Sequence, residues 1–302
     1  MKDIVIIGAG PAGLTAGIYA ARAGKSALIL EGECFGGQIV TAPLVENYPS
    51  VKTIKGYELA GNMVEQALEL GVEMEMDRVS DIVKNEDGIF TVYGMSEKYA
   101  CRSVIIATGA KNRKMGLPRE EALLGSGISY CALCDGAFFR NKEVAVAGGG
   151  NSALEEAIFL TSYCPKVYLI HRRAEFRAEQ KLVEEFKSKP NAEFVLDSEI
   201  IELLGEQKLE GVKVKNKVSG EVKEVKFQGL FVAIGKVPDN GFIANKLALD
   251  DNGYIIAHED CTTSIKGIFV AGDCRTKTVR QLTTATADGA IASVAACAYC
   301  NR

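Results

Sequence analysis

The chain has 302 residues, 47% of them hydrophobic, which is enough apolar material for two cores rather than one. Its net charge is −4 and no basic stripe runs through it, so nucleic acid is not an expected partner. No apolar run is long and uninterrupted enough to span a bilayer, and Asp3 breaks the positive start an export signal needs, so a cytoplasmic protein is expected.

The first predicted unit is "DIVIIGAGPAGLTAGIYAARAGKSALILEG", Asp3 to Gly32. An apolar strand, Ile4–Ile7, enters Gly8-x-Gly10-x-x-Gly13. A helix of small residues follows, and then a second apolar strand, Ala27–Leu30, which ends at Glu31. Glycine at 8 allows a tight turn. At 10 it allows the backbone to approach a pyrophosphate, and at 13 it allows close helix–strand packing. The free N–H groups of the helix start face the phosphates. Glu31 stands 23 residues after Gly8, where a carboxylate can accept ribose hydroxyls. "VIIATGA" (104–110) is an apolar strand that would close this module.

"CALCDG" (131–136) comes next and places Cys131 and Cys134 one helical turn apart, followed by Asp135. Zinc would need four ligands at suitable spacing, and neither His171 nor His258 is close in sequence to this pair. No metal is expected. A Cys–His hydrolase would need an imidazole base, and His171 has a better place beside the arginines below. Two buried structural thiols would be the plain reading. A redox pair is the sharper one, because Cys-x-x-Cys supports a reversible disulfide with one thiolate of lowered pKa. Asp135 suits this chemistry: protonated it can donate to a leaving thiolate, and ionised it can take the proton back.

The glycine module then returns in "KEVAVAGGGNSALEEAIFLTSYCPKVYLIHRR", Lys142 to Arg173. Strand Val144–Ala147 enters Gly148-x-Gly150-x-x-Ala153, and a helix leads to strand Val167–Ile170. The second strand now ends in His171-Arg172-Arg173, with Arg177 four residues on. Arg172 stands 24 residues after Gly148, almost where Glu31 stands in the first copy. Guanidinium groups there grip a 2′-phosphate that a carboxylate would repel, so this site is expected to take NADP(H). "VKVKNKVSGEVKEVKF" (212–227) alternates like an exposed hairpin, "LFVAIGK" (230–236) closes the second module, and "GIFVAGD" (267–273) is a further buried strand. The crossings between modules are expected near Lys111–Pro118 and Val237–Asn245, both polar with Gly or Pro.

Cys34, Cys101, Cys164, Cys261, Cys274, Cys297 and Cys300 bring the cysteine count to nine. An odd number without an export signal argues against a disulfide scaffold, and most are expected to be buried thiols. Cys297 and Cys300 lie in a helix-like tail of small residues and are read as packing rather than a second redox pair. A nicotinamide hydride does not readily split a disulfide, so an intermediate carrier is expected. Flavin fits, which assigns the first site to FAD and the second to NADPH.

The stretches "GAGPAGLTAGIYAAR", "GGQIV", "VENYP", "ATGA", "CALCDG", "GGGNSALEEA", "HRRAEFRAE", "AIGKVPDN", "GIFVAGD" and "RQLTTATADG" together resemble the low-molecular-weight, bacterial-type thioredoxin reductases over nearly the whole chain. The resemblance implies an α/β fold of two Rossmann-like dinucleotide-binding domains, with an NADPH domain (114–243) inserted into an FAD domain (1–113 and 244–302). It implies that Gly8, Gly10, Pro11, Ala12, Gly13 and Glu31 hold the adenosine half of FAD. Gly37, Gln38, Asn47 and the turn Ala107-Thr108-Gly109 would lie toward the flavin, and Gly272 and Asp273 at its ribityl chain. Arg280, Gln281 and Leu282 would begin a helix aimed at the flavin's carbonyl end. For NADPH it implies Gly148, Gly150, Asn151, Ser152 and Ala153 at the pyrophosphate. His171, Arg172, Arg173 and Arg177 would lie about the 2′-phosphate, and Ile234 and Gly235 at the module's closing turn. Cys134 would face the flavin, Cys131 would attack the partner disulfide, and Asp135 would be the acid/base.

The implied activity is NADPH-dependent reduction of thioredoxin or a similar redoxin by a homodimer whose inserted domain rotates about the crossings. Leu133 replaces the family's usual Thr and Ala137 precedes Phe138, departures that touch the surface where a redoxin would dock. Two other readings are a flavin enzyme using ferredoxin or a small dithiol, and a flavin-binding redox sensor without turnover.

Overall fold

In the computed structural model, which describes residues 1–42 and 44–301, strand β1 (Lys2–Ile7) is buried along its last four residues. Burial on both faces is what a continuous apolar run specifies in a parallel sheet covered on each side. The faces part by alternation. Ile4 and Ile6 join the core under helix α1 (Pro11–Arg22), and Val5 and Ile7 join a second core on the opposite face. Strands β2 (Ala27–Glu31) and, after helix α2 (Gly56–Glu69), β3 (Glu73–Met76) add in parallel on one side of β1. Strands β4 (Val79–Lys84), β5 (Phe90–Gly94) and β6 (Lys98–Ile106) form an antiparallel meander whose last strand returns parallel to β1 on its other side.

The chain then crosses through β7 (Ala110–Asn112). Beyond it come β8 (Ile128–Ser129), helix α3 (Ala132–Asp135), β9 (Val144–Ala147), helix α4 (Asn151–Thr161), β10 (Val167–Ile170), helix α5 (Gln180–Lys187) and β11 (Ala192–Val195). Strands β12 (Ser198–Leu204), β13 (Gly211–Asn216) and β14 (Val222–Lys226) make a separate antiparallel sheet. Strand β15 (Gly229–Val232) completes a five-stranded, wholly parallel sheet in the order β11-β10-β9-β15-β8. The return crossing is β16 (Lys236–Pro238), which pairs with β7. Strand β17 (Ile268–Val270) then pairs in parallel with β6, and the chain ends in helix α6 (Leu282–Cys300).

The first sheet therefore runs β3-β2-β1-β6-β17 through its parallel part, the same order as the second sheet with each strand in the corresponding place. The fold is the α/β pair of nucleotide-binding modules that the two glycine motifs specify. By contacts, the chain forms one unit from Met1–Lys111 with Val237–Arg302 and another from Asn112–Lys236. Residues 237–243, expected within the insert, belong to the first unit. Ile243 is fully buried there beside Phe90 and Ile255, and Asn240 donates to the carbonyls of Gly253 and Cys274.

The expected exposed hairpin at 212–227 is half-buried instead. Val212, Val214, Val225 and Phe227 enter the core with Leu123 and Leu230, while Lys213, Lys215, Val222 and Glu224 take the other face. Alternation marks strands with one wet and one dry face, and here the dry face packs into the core of the second unit.

Candidate active site

At the end of β1, Gly8 has φ +105°, and a Cβ built there would lie 2.4 Å from the Ala107 carbonyl oxygen, just past β6. Gly13 is as tightly fixed, since its Cβ would sit 1.9 Å from the Gly8 carbonyl oxygen. Gly10 differs. Its backbone is extended, and the nearest atom to an added Cβ is the Gly37 Cα at 4.0 Å. The protein's own packing does not require glycine at 10, so the clearance is left for a ligand. Gly10 is the N-cap of α1, with Pro11 at the first turn and Ala12 buried behind it, so free N–H groups border that clearance. Glu31 anchors the turn: Oε2 accepts the Ala9 N–H at 2.7 Å, and Oε1 accepts that of Glu33 at 2.8 Å. Oε1 also accepts the Cys34 N–H at 3.4 Å, while Oε2 keeps a lone pair for a hydroxyl.

The second turn repeats this construction. A Cβ on Gly148 would meet the Ala233 carbonyl oxygen at 2.4 Å and the buried Ala153 at 2.6 Å. The Ala107 and Ala233 N–H groups donate to Ile7 and Ala147 at 2.7 and 2.8 Å. Gly150, the N-cap of α4, has no atom within 4 Å of an added Cβ. Asn151 is tied to Glu179 by two hydrogen bonds, and Ser152 is exposed on the first turn. Arg172, Arg173 and Arg177 are exposed, and the Arg177 N–H donates to the Gly149 carbonyl at 2.9 Å, folding the basic loop against the glycine turn. His171 is placed differently from its neighbours. It is buried, stacks on Phe176 at 5.3 Å, and lies where any side chain on Gly149 would have to go, 2.1 Å from the ring. Burial, and then the nearby arginines, hold its pKa below the usual value. It is a neutral prop under the turn. Ile234 is half-buried, and Gly235 (φ +107°) accepts the Arg113 N–H.

The cysteine pair owes its position to β8. That strand is parallel to β15, which is parallel to β9, so Cys131, just past β8, emerges at the same carboxyl edge as the glycine turn after β9. One strand intervenes, which sets a spacing of roughly 10 Å. Ligands of open α/β sheets gather at that edge. Cys131 and Cys134 are joined by a disulfide, with Cα atoms 5.3 Å apart. Cys131 is the N-cap of α3, and its sulfur accepts the Cys134 N–H at 3.2 Å. Ser129 Oγ accepts the Cys131 N–H at 3.1 Å and donates to Asp135 Oδ2 at 2.6 Å. Burial raises the Asp135 pKa, and the Ser129 hydrogen bond works against that rise.

The residues expected toward the flavin gather in the first unit. Gln38 follows Gly37 (φ +62°) and donates to the Ala110 carbonyl at 2.6 Å. Thr108 donates to Asn240 at 3.1 Å, beside Gly109 (φ +71°). Asn47 donates to Gln281 at 3.2 Å, and Gln281 forms a capping box with Thr284 just before Leu282 opens α6. Asp273 follows Gly272 (φ +81°) in a short 3-10 turn, Gly272–Cys274, after β17. Arg280 is turned back on its own segment. Its guanidinium donates to the carbonyls of Asp273, Arg275 and Lys277 and lies 4.1 Å from the Tyr254 ring centroid. It braces the entry to α6.

The family model for pyridine nucleotide-disulphide oxidoreductases matches residues 2–289. The chain is 44% identical to thioredoxin reductase of Mycolicibacterium smegmatis over 97% of its own length and 95% of that protein's. It is 45% identical to thioredoxin reductase of Peptoclostridium litorale over 98% and 96%. The solved thioredoxin reductase of Streptococcus pyogenes superposes with a TM-score of 0.93 at 42% identity, covering 99% of this chain and 98% of that one. The chain belongs to the thioredoxin reductase family. As a thioredoxin reductase family member it is an NADPH-dependent flavoprotein disulfide reductase, with FAD and NADPH as cofactors.

The residues present fit both cofactors. Each glycine turn has one position, Gly10 and Gly150, whose lack of a side chain serves no contact inside the protein, and each opens onto a helix start. The acid at Glu31 and the arginines at 172, 173 and 177 then match an unphosphorylated and a 2′-phosphorylated ribose respectively. The motifs do not reveal a buried ion cluster that ties α6 to the turn after β17. Asp288 accepts from Arg275 through both oxygens at 2.8 Å, from Lys277 at 2.8 Å and from the Gly272 N–H at 3.0 Å. This fixes the turn carrying Asp273 to α6. The carboxylate is held below its ordinary pKa by these cations in spite of its burial. Its one sequence signal was an aspartate inside an otherwise apolar, small-residue helix.

Proposed function

We propose that this thioredoxin reductase family member transfers electrons from NADPH to the disulfide of thioredoxin or a similar small redoxin, with Cys131 as the attacking sulfur, Cys134 as the flavin-facing sulfur and Asp135 as the acid/base. The observation that carries the reading is the cysteine pair at the carboxyl edge of the sheet that holds the NADPH turn, with Asp135 tied to it through Ser129. Bound FAD supplies a two-electron carrier between nicotinamide and sulfur. The chain's own residues do the rest. Once the pair is reduced, the Cys131 thiolate displaces one sulfur of the partner disulfide, and Cys134 then attacks Cys131 to release the partner as a dithiol. Ionised Asp135 takes the Cys134 proton during that attack, and protonated Asp135 returns a proton to the departing sulfur.

Several features support a protein partner. Leu133, between the two cysteines, and Phe138, beyond them, are 54% and 41% exposed and offer apolar contact. The three exposed arginines favour NADPH over a protein electron donor. The NADPH turn and the cysteine pair share one unit and the FAD turn lies in the other, so rotation about the β7 and β16 crossings would let each reach the flavin in alternation. A cytoplasmic homodimer is the expected form.

The test is anaerobic NADPH titration of the flavin-loaded protein, followed by steady-state NADPH consumption with thioredoxins, glutaredoxin-like proteins and small disulfides. Flavin bleaching with two new thiols and fastest turnover on a thioredoxin is expected. Absence of bleaching by NADPH would overturn the reading.

A further inference from the structure

Glu155 and Glu156 stand side by side on α4, and the fold treats them oppositely. Glu155 is exposed, while Glu156 is half-buried and meets the backbone of Ala132 in α3. Its carboxylate accepts the Ala132 N–H, and its Oε2 is buried with no hydrogen-bond partner. Ala132 is fully buried and is the first residue of α3, directly between N-cap Cys131 and the turn that carries Cys134. Gly136, just after α3, packs on Leu160 and Phe159 of α4. Glu156 therefore joins the helix that opens the NADPH turn to the helix that carries the redox pair.

We propose that Glu156 is a positioning residue that couples proton uptake to reduction of the Cys131–Cys134 disulfide. The proposal rests on the redox role assigned to that pair above. Two electrons, delivered by the NADPH reaction, break the S–S bond and leave two thiolates. One proton from solvent converts one sulfur to a thiol. A second proton from solvent goes to Glu156, whose ionised carboxylate would otherwise face the new thiolate across Ala132. Two electrons and two protons are consumed, and the net charge around α3 is unchanged.

The surroundings suit a carboxyl poised between its two forms. Burial pushes its pKa up to about 7, the Ala132 hydrogen bond and Lys236 oppose this, and Glu155 adds to it. Strands β9 and β10, which also pack on α4, bring no charged side chain, and α5 carries Lys181, Glu184, Glu185 and Lys187 alongside its packed Leu182, Val183 and Phe186. From α3 the facing groups are Asp135 and the two sulfurs.

The experiment equilibrates the flavin-loaded protein with thiol redox buffers between about pH 7 and about pH 8.5, where the carboxyl starts ionised in the disulfide form. Thiols are trapped by alkylation, and the Cys131/Cys134 pair is counted by mass spectrometry. The potential of the wild-type pair should fall more steeply with pH than that of Glu156→Gln, by a difference approaching one proton per two electrons. Equal slopes would overturn the proposal. A second measurement needs no variant: infrared difference spectra on reduction, with isotope-labelled glutamate, should show a protonated glutamic carboxyl gained. Its absence would also overturn the proposal. Because thiol buffers set the state of the pair, failure of NADPH to reduce it would count against the function above and leave this result intact.

Discussion

The Ser129 hydroxyl donates to Asp135 Oδ2 at 2.6 Å and accepts the Cys131 N–H at 3.1 Å, so one side chain joins the proposed acid/base to the backbone of the proposed nucleophile. The bond stabilises the ionised carboxylate against burial, which raises its pKa. Ser129→Ala removes that support and moves the pKa further upward. A base that must be ionised then fails at a higher pH. The acidic limb of the pH profile for thiol–disulfide exchange should shift upward while NADPH-driven flavin reduction keeps its profile. Stopped-flow measurement of the two half-reactions separates them, and an unmoved limb would refute the link.

Cys131→Ser and Cys134→Ser should differ in what they preserve. Cys131→Ser should retain flavin bleaching by NADPH and lose partner reduction, because the resolving sulfur remains but the attacking one is gone. Cys134→Ser should trap a mixed disulfide between Cys131 and the redoxin, visible on a non-reducing gel. Full partner turnover by Cys131→Ser would reverse the two roles.

The basic loop makes a prediction about coenzyme choice. Arg172, Arg173 and Arg177 are exposed and held near the Gly148 turn by the Arg177–Gly149 hydrogen bond. Each charge-assisted contact to a 2′-phosphate contributes about 1.5–3 kcal/mol. Replacing Arg172 by Ala should raise the KM for NADPH roughly 10- to 100-fold and leave that for NADH nearly unchanged. Equal losses for both coenzymes would place the arginine elsewhere.

The buried cluster at Asp288 should be needed for stability and for the FAD-side turn. Arg275 and Lys277 are nearly as buried as the aspartate they meet. Asp288→Ala leaves two cations without their partner, at an expected cost of about 3–5 kcal/mol. The Gly272 N–H also loses its acceptor. Denaturant unfolding should show the loss, and FAD release on dilution should be faster. Retention of FAD at the native rate would separate the cluster from the flavin site.

What was legible in the chain was whatever sterics or uninterrupted hydrophobicity imposes. Gly8, Gly13 and Gly148 stand where any side chain would collide with backbone or a neighbouring Cβ, and the runs Ile4–Ile7 and Val144–Ala147 are buried on both faces. Those constraints fall on single residues and short runs, so they appear as sequence patterns even where, as at Gly8 and Gly148, the colliding carbonyl of Ala107 or Ala233 comes from far along the chain. Asp288 meets Arg275 and Lys277 across a helix start, and Asn240 reaches Cys274 from 34 residues away, so their roles exist only once the chain has closed. Arg280 and His171 carry the right residue type for ligand contact, yet one is clasped by three carbonyls and the other lies under Gly149. Residue type and spacing specified the chemistry of each loop without fixing which side chains turn inward.

Glu156 illustrates the same point and gives a stability prediction independent of redox chemistry. Its pKa is pushed from an ordinary 4.5 up to about 7, chiefly by burial. The folded state therefore binds more protons than the unfolded state between those values, and stability falls as pH rises through the window. The contribution is fully present below about 4.5 and lost above about 7. A rise of this size corresponds to roughly 3 kcal/mol. Glu156→Gln keeps an oxygen to accept the Ala132 N–H and removes the ionisation. Urea unfolding of wild type and variant from about pH 5 to about pH 8 should therefore give curves that separate, with the variant gaining relative stability as pH rises. Parallel curves would mean that the carboxyl is solvated in the folded protein and does not carry the charge penalty its position implies.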